Sequence, residues 1–362
     1  MRIAYCIHSL NLSGGMERVL SLKASRLAED YGHDVHIVTA SMKGRTPAFP
    51  LSPKVNLVDV GVSDRFGPGF FRYGRKLGDV LGKISPDVTV SLCGNDIYFV
   101  PSATDGSVKL AEFHFSHDKF SLKYGEGPYS RLRLRMLTDA LKKFDKLVVL
   151  TKADESYWNR VLPSVEQIYN PLTFPLSDRS PLSAKRFIAA GRLEKQKDYP
   201  SMIHAWKKVA EHHPDWTLDI FGDGRQKDDI QKIISSENLD GKVRLMGRSS
   251  DVRSEMLSSS GHLLSSRYEG FPMVLLEASA MGLPMVSFDC HYGPSEIVRT
   301  GETGILVPMG DTDALAEAVC QLIENEDLRR HCGEGAYLGA QEFLPEHIMD
   351  QWDNLFKTLI RS

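Results

Sequence analysis

With 362 residues, 42% of them hydrophobic and 25% charged, the chain has the composition of a soluble globular protein long enough for two domains. A net charge of −3 argues against a general nucleic-acid binder, so no nucleic-acid partner is expected. Five cysteines, an odd number without Cys-x-x-Cys spacing, argue against a disulfide framework or a zinc site and fit a reducing cytosol, and no apolar run approaches the ~18 residues of a membrane span.

The N-terminal "RIAYCIHS" reads as a first strand rather than a signal peptide, because its short apolar run soon meets a polar Gly loop. A helix through "GGMERVLSLKASRLAEDYG" ends at Gly32, and the strand "HDVHIVTA" follows. A helix from about Arg72 to Ile84 precedes the strand "PDVTVSLC"; later come the helix "RLRLRMLTDALKKF" and the strand "DKLVVLT". Such alternation predicts a parallel sheet with crossover helices. In "NPLTFPLSDRSPLSAK" three prolines interrupt the periodicity, which predicts an interdomain linker over residues 170–186 after a first domain of residues 1–169. A second alternating unit, residues 187–342, opens with "RFIAAG" and runs through "TLDIFGDG", "VRLMG", "GHLLSS", "PMVSFD", "GILVP" and the helix "DTDALAEAVCQLIENE". The closing stretch, residues 343–362, is an amphipathic helix that fits either domain, crossing back to the first being one of the two placements. The expected fold class is therefore α/β, with two doubly wound parallel-sheet domains and a ligand cleft between them.

Ligands of such sheets bind beyond the carboxyl ends of the strands, so the loops there carry the candidates. In "NLSGGMERV", Gly14 and Gly15 sit between strand one and helix one, where backbone approaches an anion at a helix N-terminus; a bare tight turn explains them equally well. The full G-x-G-x-x-G and Walker patterns are absent, which disfavours a dehydrogenase or a P-loop enzyme. In "AAGRLEKQKDYP", Arg192 and Lys197 follow a strand and suit a diphosphate, unless they are only a solvated charged loop. Gly222 and Gly224 of "IFGDGRQ" stand in the same row of loops.

The richest stretch is "SSRYEGFPMVLLEASAMGLP". Pro272 suits a helix start and Gly282 its stop, so a helix is expected from about Pro272 to Met281. Gly270, Phe271 and Met273 place amides at its positive end. Glu277 lies more than a turn inside, among apolar Val274, Leu275, Leu276 and Ala278, and a buried carboxylate needs a partner such as two ribose hydroxyls. Glu269 precedes the helix and is placed to touch a transferred group. The plainer account is a dipole-matching Glu followed by a salt-bridged one. In "AEFHFSHDK", His114 reads as a polar residue lining the cleft and His117 as a solvated histidine; no matched metal ligands accompany them.

Together these loops resemble the GT-B glycosyltransferases, specifically the large retaining family 4 (glycosyl transferases group 1). The resemblance covers nearly the whole chain and is strongest from Phe187 to Pro308. Its most specific element is Glu, seven residues, Glu in "EGFPMVLLE"; "GRLEKQK", "FGDG", "VRLMG", with its Gly247, and "GETGILVP" follow the family order, and "SGGMERV" and "FHF" match on the N-terminal side. It implies that Arg192 and Lys197 bind the donor pyrophosphate, Glu277 the ribose and Glu269 the donor sugar. Gly15 would admit the phosphate and acceptor side, and His114 would sit near the reacting sugar. Gly222, Gly224, Gly247, Gly270, Phe271, Pro272, Met273 and Val274 would complete the donor site.

The run "YGPSEIV" resembles relatives that use UDP-hexoses or UDP-N-acetylhexosamines. The resemblance implies transfer with retention to a saccharide or lipid-linked saccharide in surface polysaccharide synthesis. The nucleotide sugar would be a substrate, with no metal cofactor expected. The Asp311–Asp313 pair opens a helix and reads as capping rather than metal binding. "FFRYGRKLGDVLGKI" and "RLRLRMLTDALKKFDK" put apolar side chains beside basic ones, as in segments that bind anionic membranes or as in ordinary solvated helices. The expected location is the cytoplasm, at the inner face of the cytoplasmic membrane. Competing readings are another GT-B enzyme, such as a nucleotide-sugar epimerase or a phosphorylase, and a non-catalytic sugar-nucleotide-binding subunit.

Overall fold

The structure, a computed structural model, describes residues 1–12, 14–117 and 119–361; the side chains of Lys119 and Lys123 lie outside that description, as does Ser13 of the Gly-rich loop. It divides into two compact units, Met1–Thr173 with Pro345–Ser362, and Phe174–Leu344.

In the first unit, short β-branched and apolar runs form β1 (Arg2–Ile7), β2 (Asp34–Thr39), β3 (Asn56–Asp59), β4 (Val88–Ser91), β5 (Val108–Phe113), β6 (Lys146–Val149) and β7 (Val165–Gln167). The amphipathic runs between them form α1 (Gly15–Glu29), α2 (Phe70–Ile84), α3 (Lys119–Tyr124), α4 (Pro128–Leu141) and α5 (Lys152–Trp158). The pairings are parallel and the strand order is β3-β2-β1-β4-β5-β6-β7, so the order reverses between β1 and β4. Ile3 stands opposite both Val35 and Val88 in the ladder.

Strand alternation sends Ile3, Tyr5 and Ile7 to one layer and Ala4 and Cys6 to the other. The second layer holds Tyr73, Leu77 and Leu81 of α2 with Leu137, Ala140 and Leu141 of α4.

The second unit repeats the plan. Its strands are β8 (Arg186–Ala190), β9 (Thr217–Phe221), β10 (Val243–Gly247), β11 (Gly261–Leu264), β12 (Met285–Asp289) and β13 (Gly304–Pro308). Its helices are α6 (Tyr199–His212), α7 (Lys227–Ser236), α8 (Val252–Leu257), α9 (Met273–Ala280), α10 (Pro294–Ile297), α11 (Thr312–Glu324) and α12 (Glu326–Gly339). The parallel order β10-β9-β8-β11-β12-β13 reverses between β8 and β11. Phe187 and Ala189 of β8 pack with Met202, Ile203 and Trp206 of α6 and with Leu315, Val319 and Leu322 of α11. Asp311 caps α11 by accepting from the Ala314 amide at 2.9 Å, and Asp313 pairs with Lys208.

The last helix, α13 (Pro345–Arg361), belongs to the first unit. Ile348, Trp352, Leu355 and Phe356 fall on one face by helical spacing, and that face joins the β1 layer beside Leu20, Ala24 and Leu27 of α1. Trp352 is fully buried there; truncating such a side chain typically costs ~3–5 kcal/mol.

Candidate functional site

In the second unit the crevice of the reversed strand order lies between the loops that follow β8 and β11. The loop after β8 ends in a single turn, Lys195–Lys197, and Asp198 in the left-handed region turns the chain into α6, with Pro200 in its first turn. Lys197 Nζ lies 2.6 Å from Glu269 Oε1, an ion pair that spans the crevice with both side chains almost buried. Around it the two loops form one hydrogen-bonded block. Ser265 Oγ reaches the carbonyls of Lys197 and Asp198 at 2.8 and 2.9 Å. Gln196 Nε2 donates to the Tyr268 carbonyl at 2.9 Å, and the Arg267 amide to the Gln196 carbonyl at 2.8 Å. Arg192 is exposed at the edge of this block, its guanidinium 3.5 Å from Gln196 Oε1.

The glycines of "FGDG" have a backbone reason. The Gly191 amide donates to the Phe221 carbonyl and the Leu193 amide to the Asp223 carbonyl, each at 2.9 Å. A Cβ on Gly222 would lie 1.9 Å from the Gly191 oxygen, and one on Gly224 would lie 2.4 Å from the Leu193 oxygen. The Gly222 amide in turn donates at 2.8 Å to the carbonyl of Gly247, so the loops after β8, β9 and β10 are laced side by side.

Helix α9 starts one residue later than expected, with Pro272 as its N-cap, because the first intrahelical bond runs from Leu275 N to Pro272 O at 2.9 Å. Met273 and Val274 precede that bond and so stand at the positive end of the helix. Glu277 is buried together with Leu275, Leu276 and Ala278, while Val274 is half-buried. Phe271 is buried against Phe343, ring centroids 5.7 Å apart.

Two residues of this region were missed by sequence reasoning. Gly293, at φ 98°, brings the loop after β12 onto Glu269–Pro272: a Cβ there would sit 2.7 Å from Pro272 Cδ and 3.0 Å from the Gly270 oxygen. Its signal lay in "YGPSEIV". His262, on β11, is fully buried; burial first, then the Lys197 charge, press its pKa down to about 3, so the ring is neutral. A histidine inside a strand buried on both faces was the available clue.

Gly15 and His114 belong to the first unit and follow different strands. Gly15 is the exposed first residue of α1, with Gly14 as the N-cap. His114 directly follows β5, and its Nε2 lies 3.1 Å from Glu112 Oε1. The same carboxylate oxygen accepts from Lys23 Nζ at 2.6 Å, and the lysine lies 3.5 Å from the Trp352 ring centroid. Burial pushes Glu112 up, but Lys23 and then His114 outweigh it and hold the carboxyl down at about 2. Lys23 had a sequence signal, since it shares the apolar spacing of Leu20, Ala24 and Leu27. His117 corrects an expectation. It is not solvated: its ring stacks on Tyr157 at 3.6 Å and Nδ1 lies 2.9 Å from Asp154 Oδ1, because the Thr151-capped start of α5 holds that carboxylate beside it. Among the described residues no three His, Cys, Asp or Glu side chains are grouped as a metal site.

Of the residues assigned from sequence, Arg192, Lys197, Gly222, Gly224 and the run from Glu269 to Glu277 lie on the carboxyl-end loops of one sheet or on the helix that leaves them, and Gly247 ends strand β10 beside them. Two Rossmann-like parallel-sheet units give the chain the GT-B architecture. Residues 177–338 match the family described as glycosyl transferases group 1, which supports a glycosyltransferase.

The chain is 26% identical to an uncharacterized glycosyltransferase of Haemophilus influenzae, over 98% of this chain and 99% of that one. It is 28% identical, with the same coverage, to the amylovoran biosynthesis glycosyltransferase AmsD of Erwinia amylovora. Among solved structures, TarM superposes with a TM-score of 0.86 at 16% identity over 98% of both chains; a mutant of S. aureus TarM has been solved in complex with fondaparinux, α-GlcNAc-glycerol and UDP.

Proposed function

We propose that this glycosyltransferase is a retaining member of family 4. It moves a hexose or N-acetylhexosamine from a UDP-sugar to a saccharide or lipid-linked saccharide during surface polysaccharide synthesis. The observation that carries the donor assignment is the Lys197–Glu269 pair across the β8/β11 crevice, with Arg192 on the same loop and the N-terminus of α9 beside it. A cation already held at a carboxylate is pre-placed for a diphosphate that arrives with a sugar. Lys197 and Arg192 take the phosphate oxygens, and the amides at the start of α9 add their dipole. Glu269 faces the sugar and Glu277 the ribose hydroxyls. Charge on the leaving diphosphate is then met by protein groups fixed before the reaction, which is where electrostatic catalysis gains most. This reading needs no metal cofactor. In the favoured course the acceptor attacks on the face the diphosphate leaves, and a donor phosphate oxygen takes its proton. Gly15 admits the phosphate and the acceptor side, and His114 serves the reacting sugar.

Support for the polysaccharide role is the full-length likeness to AmsD; support for UDP is the ligand found with the TarM mutant. Among the described residues no helix is long and apolar enough to cross a membrane. The proposal places the enzyme in the cytoplasm, at the inner face of the cytoplasmic membrane.

A thermal-shift panel of UDP-, GDP- and ADP-sugars tests the donor assignment, since a bound ligand raises apparent stability by RT ln(1 + [L]/Kd). A UDP-sugar shift that is lost in Arg192→Ala and Lys197→Ala supports it. Slow donor hydrolysis unchanged in Arg192→Ala, Lys197→Ala and Glu269→Ala would remove the site assignment.

A further inference from the structure

Two segments of the first unit, far apart in sequence, form one exposed surface. On α4 the side chains of Tyr129, Leu132 and Met136 follow i, i+3, i+7 spacing and are 55%, 55% and 37% exposed, an apolar stripe that Tyr124 of α3 meets at Tyr129, ring centroids 5.2 Å apart. Buried Leu137 and Leu141 anchor the other side of that helix. Arg133 joins the stripe to α2: its guanidinium carbon lies 5.6 Å from the Phe66 ring centroid. Phe66 stacks on Phe70 at 4.6 Å, and Phe70 meets Phe71 at 5.6 Å. Phe66 and Phe71 are 52% and 79% exposed. So the aromatic end of α2 and the stripe of α4 are continuous.

Cations frame this surface. Arg65, Arg72 and Arg75 are exposed around the aromatic end of α2, and Arg131, Arg135 and Lys142 along α4. The one acid of α4, Asp139, lies 3.8 Å from Arg135 and 3.6 Å from Lys142. The chain as a whole carries −3, so positive charge is concentrated here against the overall balance. Exposed aromatics and leucine flanked by arginines match an interface where apolar side chains enter acyl chains and cations remain among anionic headgroups. A protein partner would need a complementary acidic, concave face, and nothing in the surface selects one.

We propose that this α2–α4 surface docks the enzyme on an anionic lipid bilayer. The inference rests on the peripheral location proposed above and names the face that performs it. Attachment would confine the enzyme to the plane where a lipid-linked acceptor resides.

The test is co-sedimentation of the full chain with vesicles of equal phosphatidylglycerol and phosphatidylcholine, and with pure phosphatidylcholine, at low and high salt. Expected are binding to the anionic vesicles, loss of it at high salt, and little binding to the neutral ones. Arg131→Gln with Arg135→Gln should weaken partition about 25-fold, at about fivefold per arginine. Leu132→Asp and Phe71→Ser should weaken it with the melting temperature unchanged. No sedimentation with anionic vesicles at low salt overturns the proposal, as does partition unaffected by these variants. A dimer in light scattering that Leu132→Asp dissociates, without vesicle binding, would assign the surface to self-association and overturn it too. The UDP-sugar thermal shift of the same proteins is scored separately: its absence in the wild-type chain would sink the donor reading and leave the vesicle result standing.

Discussion

Lys197 and Glu269 meet at 2.6 Å across the point where the strand order of the second unit reverses, each supplied by a different strand's loop. The pair has two separable roles. Lys197→Met strips a nearly buried carboxylate of its cation, so the melting temperature should fall. Adding Glu269→Gln should restore much of it, because the unpaired charge is gone. Turnover should fall about 10²–10³-fold in the single variant and stay low in the double one, since the proposed diphosphate contact is missing in both. Parallel recovery of turnover and melting temperature in the double variant would make the pair purely structural.

Glu277 offers a different signature. Its assigned contact is with ribose, far from the bond that breaks, so Glu277→Gln should raise the donor KM by about 10–100-fold and change kcat much less. Arg192→Ala should lower kcat as well, because charge grows on the phosphates as the bond breaks. Turnover should also persist unchanged in EDTA, which steady-state kinetics with and without chelator will check.

Gly222→Ala tests the lacing of the donor loops. Its Cβ would sit 1.9 Å from the Gly191 oxygen, and its φ of 148° is unsuited to a side chain. The expected loss is more than ~1 kcal/mol in urea unfolding, with weaker UDP-sugar binding because the Arg192 loop must shift. Ala at Gly32, also at positive φ but with nothing within 4 Å, should cost stability without touching donor affinity.

Stability against pH should carry two opposed signatures. Burial pushes Asp96 up to about 7, above its unfolded value of 3.8. Its contribution is therefore present below pH 3.8 and lost as pH rises toward 7, and Asp96→Asn should raise the melting temperature at pH 8 and change little at pH 4. His262 runs the other way. With its pKa held at about 3 against 6.5, its neutral form costs stability as pH falls below 6.5, at about 1.4 kcal/mol per unit. His262→Leu should therefore gain on the wild type at pH 5 and match it at pH 8. Melting curves of both variants across this range will check the signs.

The Lys23–Glu112 pair is fully buried and ties α1 to β5. Lys23→Met should cost ~3–5 kcal/mol by depriving buried Glu112 of its lysine, and Lys23→Met with Glu112→Gln should recover most of it. Glu112 accepts on an oxygen that also faces His114. If His114 serves the reaction, turnover in the stable double variant should remain below wild type, because the imidazole has lost the carboxylate that orients it.

Much of the candidate site was legible because its signals are local. Pro272 and Gly282 bracket a helix whatever surrounds it, and an acid amid Leu275, Leu276 and Ala278 advertises its own burial. His117 was misread for the opposite reason: its partners Asp154 and Tyr157 lie on a helix some forty residues on, and nothing nearby in sequence marks them. Glu112 escaped for the same cause, looking like one charged residue in an ordinary strand, whereas Lys23 could have been found from its place on the apolar face of α1. Gly293 stood in a quoted motif, yet its contact with Pro272 exists only once β11 and β12 lie side by side.

By itself the sequence determined the alternation of strand and helix, the two-unit plan and the candidate loops, because periodicity, Gly and Pro act over a few residues. Tertiary structure alone decided that Lys197 pairs with Glu269, that α13 completes the core of the first unit, and that the ends of α2 and α4 share one surface. Those outcomes depend on which strands become neighbours. That choice is made by packing between distant segments, whose contacts leave no mark on either segment alone.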